Sequence, residues 1–209
     1  MASILNPLGT FSGRIGNLIY YSIDGKWYVR RRSSRKIVVR SASRRMWQGR
    51  FKTCISFYHS LDGVRVKSIW GVLGKLTRRS GMNIFIQNNI QAFSQEKRVE
   101  NHELLHFSAG VLMMPINFGV KERDEQELAV SWSTEWEGAL DSGGDKLCAG
   151  VIYDTEPFRP RLAECVKGTR ADGRGVIRLQ KGYAGHCHLY CYFASSDGKC
   201  YSGDRHFAL

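Results

Sequence analysis

Residues 13–45 read GRIGNLIYYSIDGKWYVRRRSSRKIVVRSASRR, and the rest of the chain is organised around them. Leu18-Ile19-Tyr20-Tyr21-Ser22-Ile23 is β-branched and aromatic, which suits a strand. Asp24-Gly25 is the two-residue signature of a tight hairpin, and Lys26-Trp27-Tyr28-Val29-Arg30 is its return strand. Side chains alternate along a strand, so Lys26, Tyr28 and Arg30 share one face and Trp27 and Val29 the other. The spacing predicts a two-stranded ribbon with an apolar side to pack and a cationic, aromatic side to present. It runs into Arg31, Arg32, Arg35, Lys36, Arg40, Arg44 and Arg45, with Ile37-Val38-Val39 among them as a third short strand.

The charge is uneven. Residues 1–100 carry 19 Lys+Arg against 4 Asp+Glu, whereas residues 101–209 carry 12 against 15. The net charge of +12 therefore belongs to one face or module. A hydrophobic content of 43% is that of a packed protein, and 209 residues make one large domain or two small ones. The opening MASILNPLGTFSG lacks a basic leader and a long apolar core, so no export signal is expected. No apolar run approaches the roughly 20 residues that span a bilayer. A cytoplasmic location, or a particle assembled there, is the expectation. The six cysteines lack the CxxC pairing of a structural zinc site and are expected to be reduced.

Beyond the arginine tract, Ser43 is a candidate helix N-cap. Trp47, Phe51, Cys54, Ile55, Tyr58 and Leu61 then recur at helical spacing as an inward face, opposite a mostly basic one. Two more helices follow, one over 66–76 with Ile69, Val72, Leu73 and Leu76 inward, the other marked by Met82, Ile86, Ile90 and Phe93. The polar stretch 95–103 predicts a boundary, giving a basic hairpin-and-helix module over 1–100 and a second domain over 101–209. In the second the period changes to two: Leu105-Phe107-Ala109, Leu128-Val130-Trp132, 147–153, Ala163-Cys165, 175–179, 187–193 and 201–207. About seven short strands between Gly-containing turns predict an antiparallel immunoglobulin-like β-sandwich, so the fold class is α+β.

Phe11-Ser12-Gly13 with Gly16-Asn17, followed by a hairpin and Gly25-Lys26 with Val29-Arg30, resembles the start of an uncharacterised family found mainly in Bacteroidota and filed only as a domain of unknown function. His188 to Phe193, then Ala194-Ser195-Ser196-Asp197-Gly198-Lys199, resembles that family's last strand and hairpin. Relatives continue past the hairpin with Ser-Lys-Pro and a Gln-rich helix start; here Arg31-Arg32-Ser33 and Arg44-Arg45-Met46-Trp47 stand instead. The resemblance implies an architecture and brings no activity, substrate or catalytic residue.

The basic tract is the strongest functional signal. Lys and Arg on a surface neutralise phosphates and release counterions. Guanidinium forks bridge two oxygens, and aromatic rings stack on bases. Lys26, Tyr28, Arg30, Arg31, Arg32, Arg35, Lys36, Arg40, Arg44 and Arg45 are the candidate nucleic-acid-binding residues. The competing readings are an acidic protein surface, including a neighbouring copy in an oligomer or larger assembly, and plain solvation. Gly13-Arg14-Ile15-Gly16-Asn17 lacks the rest of a phosphate loop and reads as a structural turn. His186, His188, Asp204 and His206 could face one another on paired strands, but Cys187 and Cys191 point the other way, so a solvated face is expected rather than a metal site. Glu135 and Glu137 flank Trp136 with nothing to mark them as catalytic. No GxSxG, HExxH or Walker pattern is present, and no cofactor is expected. Trp47, Trp70 and Trp132 are expected in the core.

Overall fold

The computed structural model describes residues 2–3, 12–33, 41–61, 66–124, 126–135, 138–163, 165–180 and 186–209. It is a mixed α+β chain in two compact units, Met1–Arg40 and Ser41–Leu209.

In the first unit the hairpin forms as the sequence predicts: β3 (Leu18–Ile23) pairs with β4 (Lys26–Arg31), and Ile23 faces Lys26 across a two-residue turn. Asp24 and Gly25 both have positive φ, 50° and 74°, which matches the right-handed twist of the flanking strands. The ribbon is wider than predicted. β2 (Gly13–Ile15) adds to β3 through a second tight turn at Gly16-Asn17, and β1 (Ala2–Ser3) adds to β4, giving the order β1-β4-β3-β2. The glycines at 13 and 16 thus serve a hairpin. The expected strand at 37–39 lies outside the described residues.

The second unit holds the described α-helices: α1 (Ala42–Ser60), α2 (Val66–Thr77) and α3 (Gly81–Asn89). The N-cap of α1 is Ser41 rather than Ser43; its side chain accepts from the Arg44 backbone N–H. Two four-stranded antiparallel sheets follow. One runs β5 (Gly119–Asp124), β6 (Glu127–Ser131), β10 (Arg174–Arg178), β9 (Cys165–Lys167). The other runs β12 (Arg205–Ala208), β11 (Cys187–Ala194), β7 (Lys146–Tyr153), β8 (Arg161–Leu162). The stretch 105–109, expected to be a strand, is not one; Leu105 and Phe107 are buried all the same. The polar strand β5 carries no alternation that would reveal it.

The layering explains the burial. Leu147, Ala149, Val151 and Tyr153 of β7 and Cys187, Leu189, Cys191 and Phe193 of β11 share one core with Leu128, Val130 and Ile177 of the facing sheet. The intervening residues Ile152 and Tyr190 enter a second core with Phe57, Trp70, Phe85 and Phe93 of the helical layer. The β7–β11 sheet is therefore sandwiched between a sheet and helices. Phe107 stacks on Tyr190 at 4.5 Å between centroids and lies directly over Gly150, where a Cβ would meet its ring at 2.3 Å. Because these helices share a core with β7 and β11, the chain does not divide near residue 100; it divides between Arg40 and Ser41. No described helix is long and apolar enough to cross a membrane.

Candidate nucleic-acid interface

Register fixes which cations of the first unit stand together. Arg14, Ile19 and Arg30 form one cross-strand row, Tyr21 and Tyr28 the next, and Ile23 and Lys26 the last. Alternation puts all of these on one face. The tyrosine rings stack at 5.7 Å and 24°. This face thus carries three cations around an aromatic pair, with Tyr28 half-buried and Lys26 and Arg30 exposed. Arg31 sits on the opposite face with Leu18, Tyr20, Trp27 and Val29. Arg32 follows β4, exposed, its backbone N–H donating to the Asn17 carbonyl at 2.6 Å. Arg35, Lys36 and Arg40 lie outside the described residues. Arg44 and Arg45 are exposed on α1, in the second unit.

The ten predicted residues therefore do not form one described surface. Lys26, Tyr28 and Arg30 are brought together and gain Arg14, which sequence pattern alone does not single out. Arg31 is turned away from them, because adjacent strand residues point to opposite faces. Among the described residues no ion pair involves Lys26, Arg30, Arg31, Arg32, Arg44 or Arg45. No described acid neutralises them.

Across the Gly13–Tyr20–Val29–Ala2 row the sheet is four strands wide. At about 4.8 Å per strand spacing its backbones span roughly 14 Å. The B-DNA major groove is about 12 Å wide. The sheet is therefore wider than that groove.

On α1 the structure corrects the expected core. Burial begins at Thr53, and Cys54, Phe57 and Tyr58 are buried, but Trp47 is 44% and Phe51 45% exposed. The first turns of the helix extend beyond the core it packs on. Likewise Leu76 of α2 is exposed. Trp70 and Trp132 are buried as expected.

Of the grouping expected on paired strands, His188 and His206 do face one another, and they are joined by His102, which sequence spacing does not foretell. His102, far away in the chain, stacks on His188 at 3.5 Å between centroids and 6°. His188 Nδ1 lies 2.9 Å from His206 Nε2, and His102 Nδ1 lies 3.2 Å from the Tyr190 hydroxyl. Burial and the neighbouring imidazoles hold His102 down to about 4, and burial lowers His188 and His206 as well. His186 is exposed ahead of β11. Asp204 turns away to His106 Nδ1, 2.8 Å, and to the Phe107 backbone N–H, 2.5 Å; the bond to His106 raises that imidazole above its ordinary value. Parallel rings in van der Waals contact do not aim their lone pairs at one point. Among the described residues no group of three or more His, Cys, Asp or Glu is placed to hold a metal.

No disulfide joins the six cysteines. Burial pushes the Cys54 thiol up to about 12 and the Cys191 thiol higher still, which keeps both protonated and unreactive. Glu135 is exposed; Trp136 and Glu137 lie outside the described residues. Two further features leave little mark on the sequence. Lys121, Lys167 and Arg174 line a shallow cleft on the outer face of the β5-β6-β10-β9 sheet, with Asp172 among them. Arg170 is fully buried, with Nε 3.0 Å from Asp145 Oδ2, Nη2 2.9 Å from the Met113 carbonyl and the guanidinium 4.8 Å from the Phe193 ring centroid. Its sequence trace is the acid at 145, too distant in the chain to be paired by spacing.

No family model, curated protein or solved structure matches this chain.

Proposed function

We propose that the protein is a non-enzymatic nucleic-acid-associated protein that holds phosphate backbones with little preference for sequence. The observation that carries the reading is the β3–β4 face, where Arg14, Lys26 and Arg30 surround the stacked Tyr21–Tyr28 pair and neither Lys26 nor Arg30 has an acidic partner among the described residues. Cations spaced over a flat face bind charge density rather than base edges. Arg31 and Arg32 extend the charge to the sheet's other face and end, and Arg44 and Arg45 add a second patch on α1.

The strand order of the second unit supports an immunoglobulin-like sandwich as a packing or partner module. Lettering the strands A to G, with β8 as an added C′ edge, yields ABED on one sheet and GFCC′ on the other.

A salt series on generic duplex and single strands tests the function. Binding that steepens as salt falls supports it; no binding at low salt, or affinity indifferent to salt, overturns it.

A second reading, a structural subunit of a large assembly docking on an acidic protein surface, draws on a different feature. No described side chain of the first sheet is buried, and Ile15, Leu18 and Ile23 are exposed. A small sheet with so little core gains from a partner chain or a second copy. Sedimentation as a lone monomer at high concentration counts against it.

A further inference from the structure

We propose that the N-terminal half of α1 is a stacking platform for single-stranded nucleic acid, in which Trp47 and Phe51 take bases while Arg44 holds a flanking phosphate. This rests on the nucleic-acid reading above and narrows it to a site and a strand form.

Trp47 and Phe51 are four residues apart and so lie one above the other on the helix. Both are nearly half exposed, and Met46 beside them is 36% exposed. The same stripe continues into Cys54 and Tyr58, which are buried. One continuous apolar face is thus covered at its C-terminal end and open at its N-terminal end. Of the large exposed apolar side chains among the described residues of the second unit, Trp47 and Phe51 are the aromatic ones, and open aromatics set side by side mark a contact surface.

The occupant is indicated by charge. From Ser41 to Leu61 there is no Asp or Glu; Arg44, Arg45 and Lys52 are exposed, Arg45 and Lys52 on the helix face opposite the stripe. Arg44, three residues before Trp47, borders the stripe on one side. Arg50, three residues after it, borders the other; its guanidinium lies 5.6 Å from the Trp47 ring centroid and pairs with Glu100 at 3.2 Å. Arg50 therefore steadies the indole while Arg44 stays available. Cations beside flat exposed rings match a ligand that alternates phosphates with planar bases. In a duplex the base faces are covered by their neighbours, whereas in a single strand they are open to stack on the rings. A partner protein or an anionic lipid surface would use the same cations but would not need free base faces.

The test uses the full chain, labelled oligothymidylate and a duplex of equal length, with wild type, the double variant W47A/F51A, and R44A. The expected result is tighter binding of the single strand than of the duplex by wild type. W47A/F51A should lose affinity for the single strand by about tenfold or more, since each stacked ring carries a factor of that order, with its salt slope unchanged. R44A should instead lower the salt slope by about the share of one phosphate. Because the replaced side chains are exposed, the melting profile should stay close to that of wild type, and a W47Y/F51Y variant should recover most of the binding. Equal binding of both strand forms, with W47A/F51A like wild type, overturns the platform while leaving the general function standing. Absence of any oligonucleotide binding at low salt overturns both. Binding to vesicles of phosphatidylcholine and phosphatidylserine that W47A/F51A abolishes, with no single-strand preference, overturns the platform in favour of a lipid surface.

Discussion

The β1-β4-β3-β2 sheet and the β12-β11-β7-β8 sheet are both four-stranded, antiparallel and rich in aromatic residues, yet they end at opposite extremes of burial. In the first, no described side chain is buried. In the second, every residue of β11 from Leu189 to Ala194 is buried. Strand propensity does not separate LIYYSI from CHLYCYFA. What separates them is what lies on each face. β11 has the helical layer against Tyr190 and the second sheet against Leu189, Cys191 and Phe193. The first sheet belongs to a unit of forty residues, close to the length below which a chain cannot build a core from its own side chains. Stability is therefore concentrated in one region and uncommitted charge in the other.

The sharpest way to break this contrast is to remove Asp145. Its carboxylate accepts from Arg170 Nε and from the Ser142 backbone N–H, both at 3.0 Å, deep in the second unit. Asp145→Ala leaves a buried guanidinium without its nearest counter-ion and should cost about 3–5 kcal/mol, read by urea unfolding. Next in size is Gly150→Ala. The added methyl meets the Phe107 ring and should cost about 1–3 kcal/mol by overpacking, with the Phe107–Tyr190 stack displaced.

The corresponding change in the first sheet should do the reverse. R14A/K26A/R30A should alter stability by no more than about 0.5 kcal/mol, as exposed substitutions do. It should lower the slope of log affinity against log salt by about 2 to 3, near 0.9 for each phosphate no longer neutralised. Arg31→Ala, on the other face, should lower the slope by less than the share of a single phosphate if the Tyr21–Tyr28 face is the one engaged.

The gentlest test is pH. His102, His188 and His206 titrate below the ordinary imidazole value when folded, so the unfolded chain binds more protons as pH falls through about 6.5. Stability should decline over that range until His102 itself titrates at about 4. Asp154 near His188 and Glu103 near His206 soften the effect. His106 acts in the opposite sense: with its value raised by Asp204, its contribution is complete below the ordinary value and lost as pH rises through the raised one. Three imidazoles against one leave a net loss on the acid side, visible in melting temperature between neutral and mildly acidic buffer. His102→Phe keeps a ring against His188 but cannot take a proton, and should make that decline shallower.

Much of the candidate site is legible in the sequence because it is local. The Asp24-Gly25 turn sets the β3–β4 register, and register assigns Lys26, Tyr28 and Arg30 to one face. The addition of Arg14 is hidden because Gly13–Ile15 is too short to announce a strand. On α1 the periodicity of Trp47, Phe51, Cys54 and Tyr58 gives the helix correctly, but it does not say how far along the helix a partner extends. That limit makes Trp47 and Phe51 look like core. The supposed boundary near residue 100 fails for a related reason: a polar connector looks the same whether the elements it joins part company or pack together.

Local chemistry wrote the hairpin, the three helices, the apolar alternation of β7 and β11 and the absence of acids between Asp24 and Asp62, because turn dihedrals, helical period and charge act over a few residues. The sealing of β11 on both faces, the His102–His188 stack, the Arg170–Asp145 pair and the opening of α1 ahead of Thr53 were settled by packing. Each joins or separates residues that local pattern cannot relate, because packing acts through space and a short-range pattern acts only along the chain.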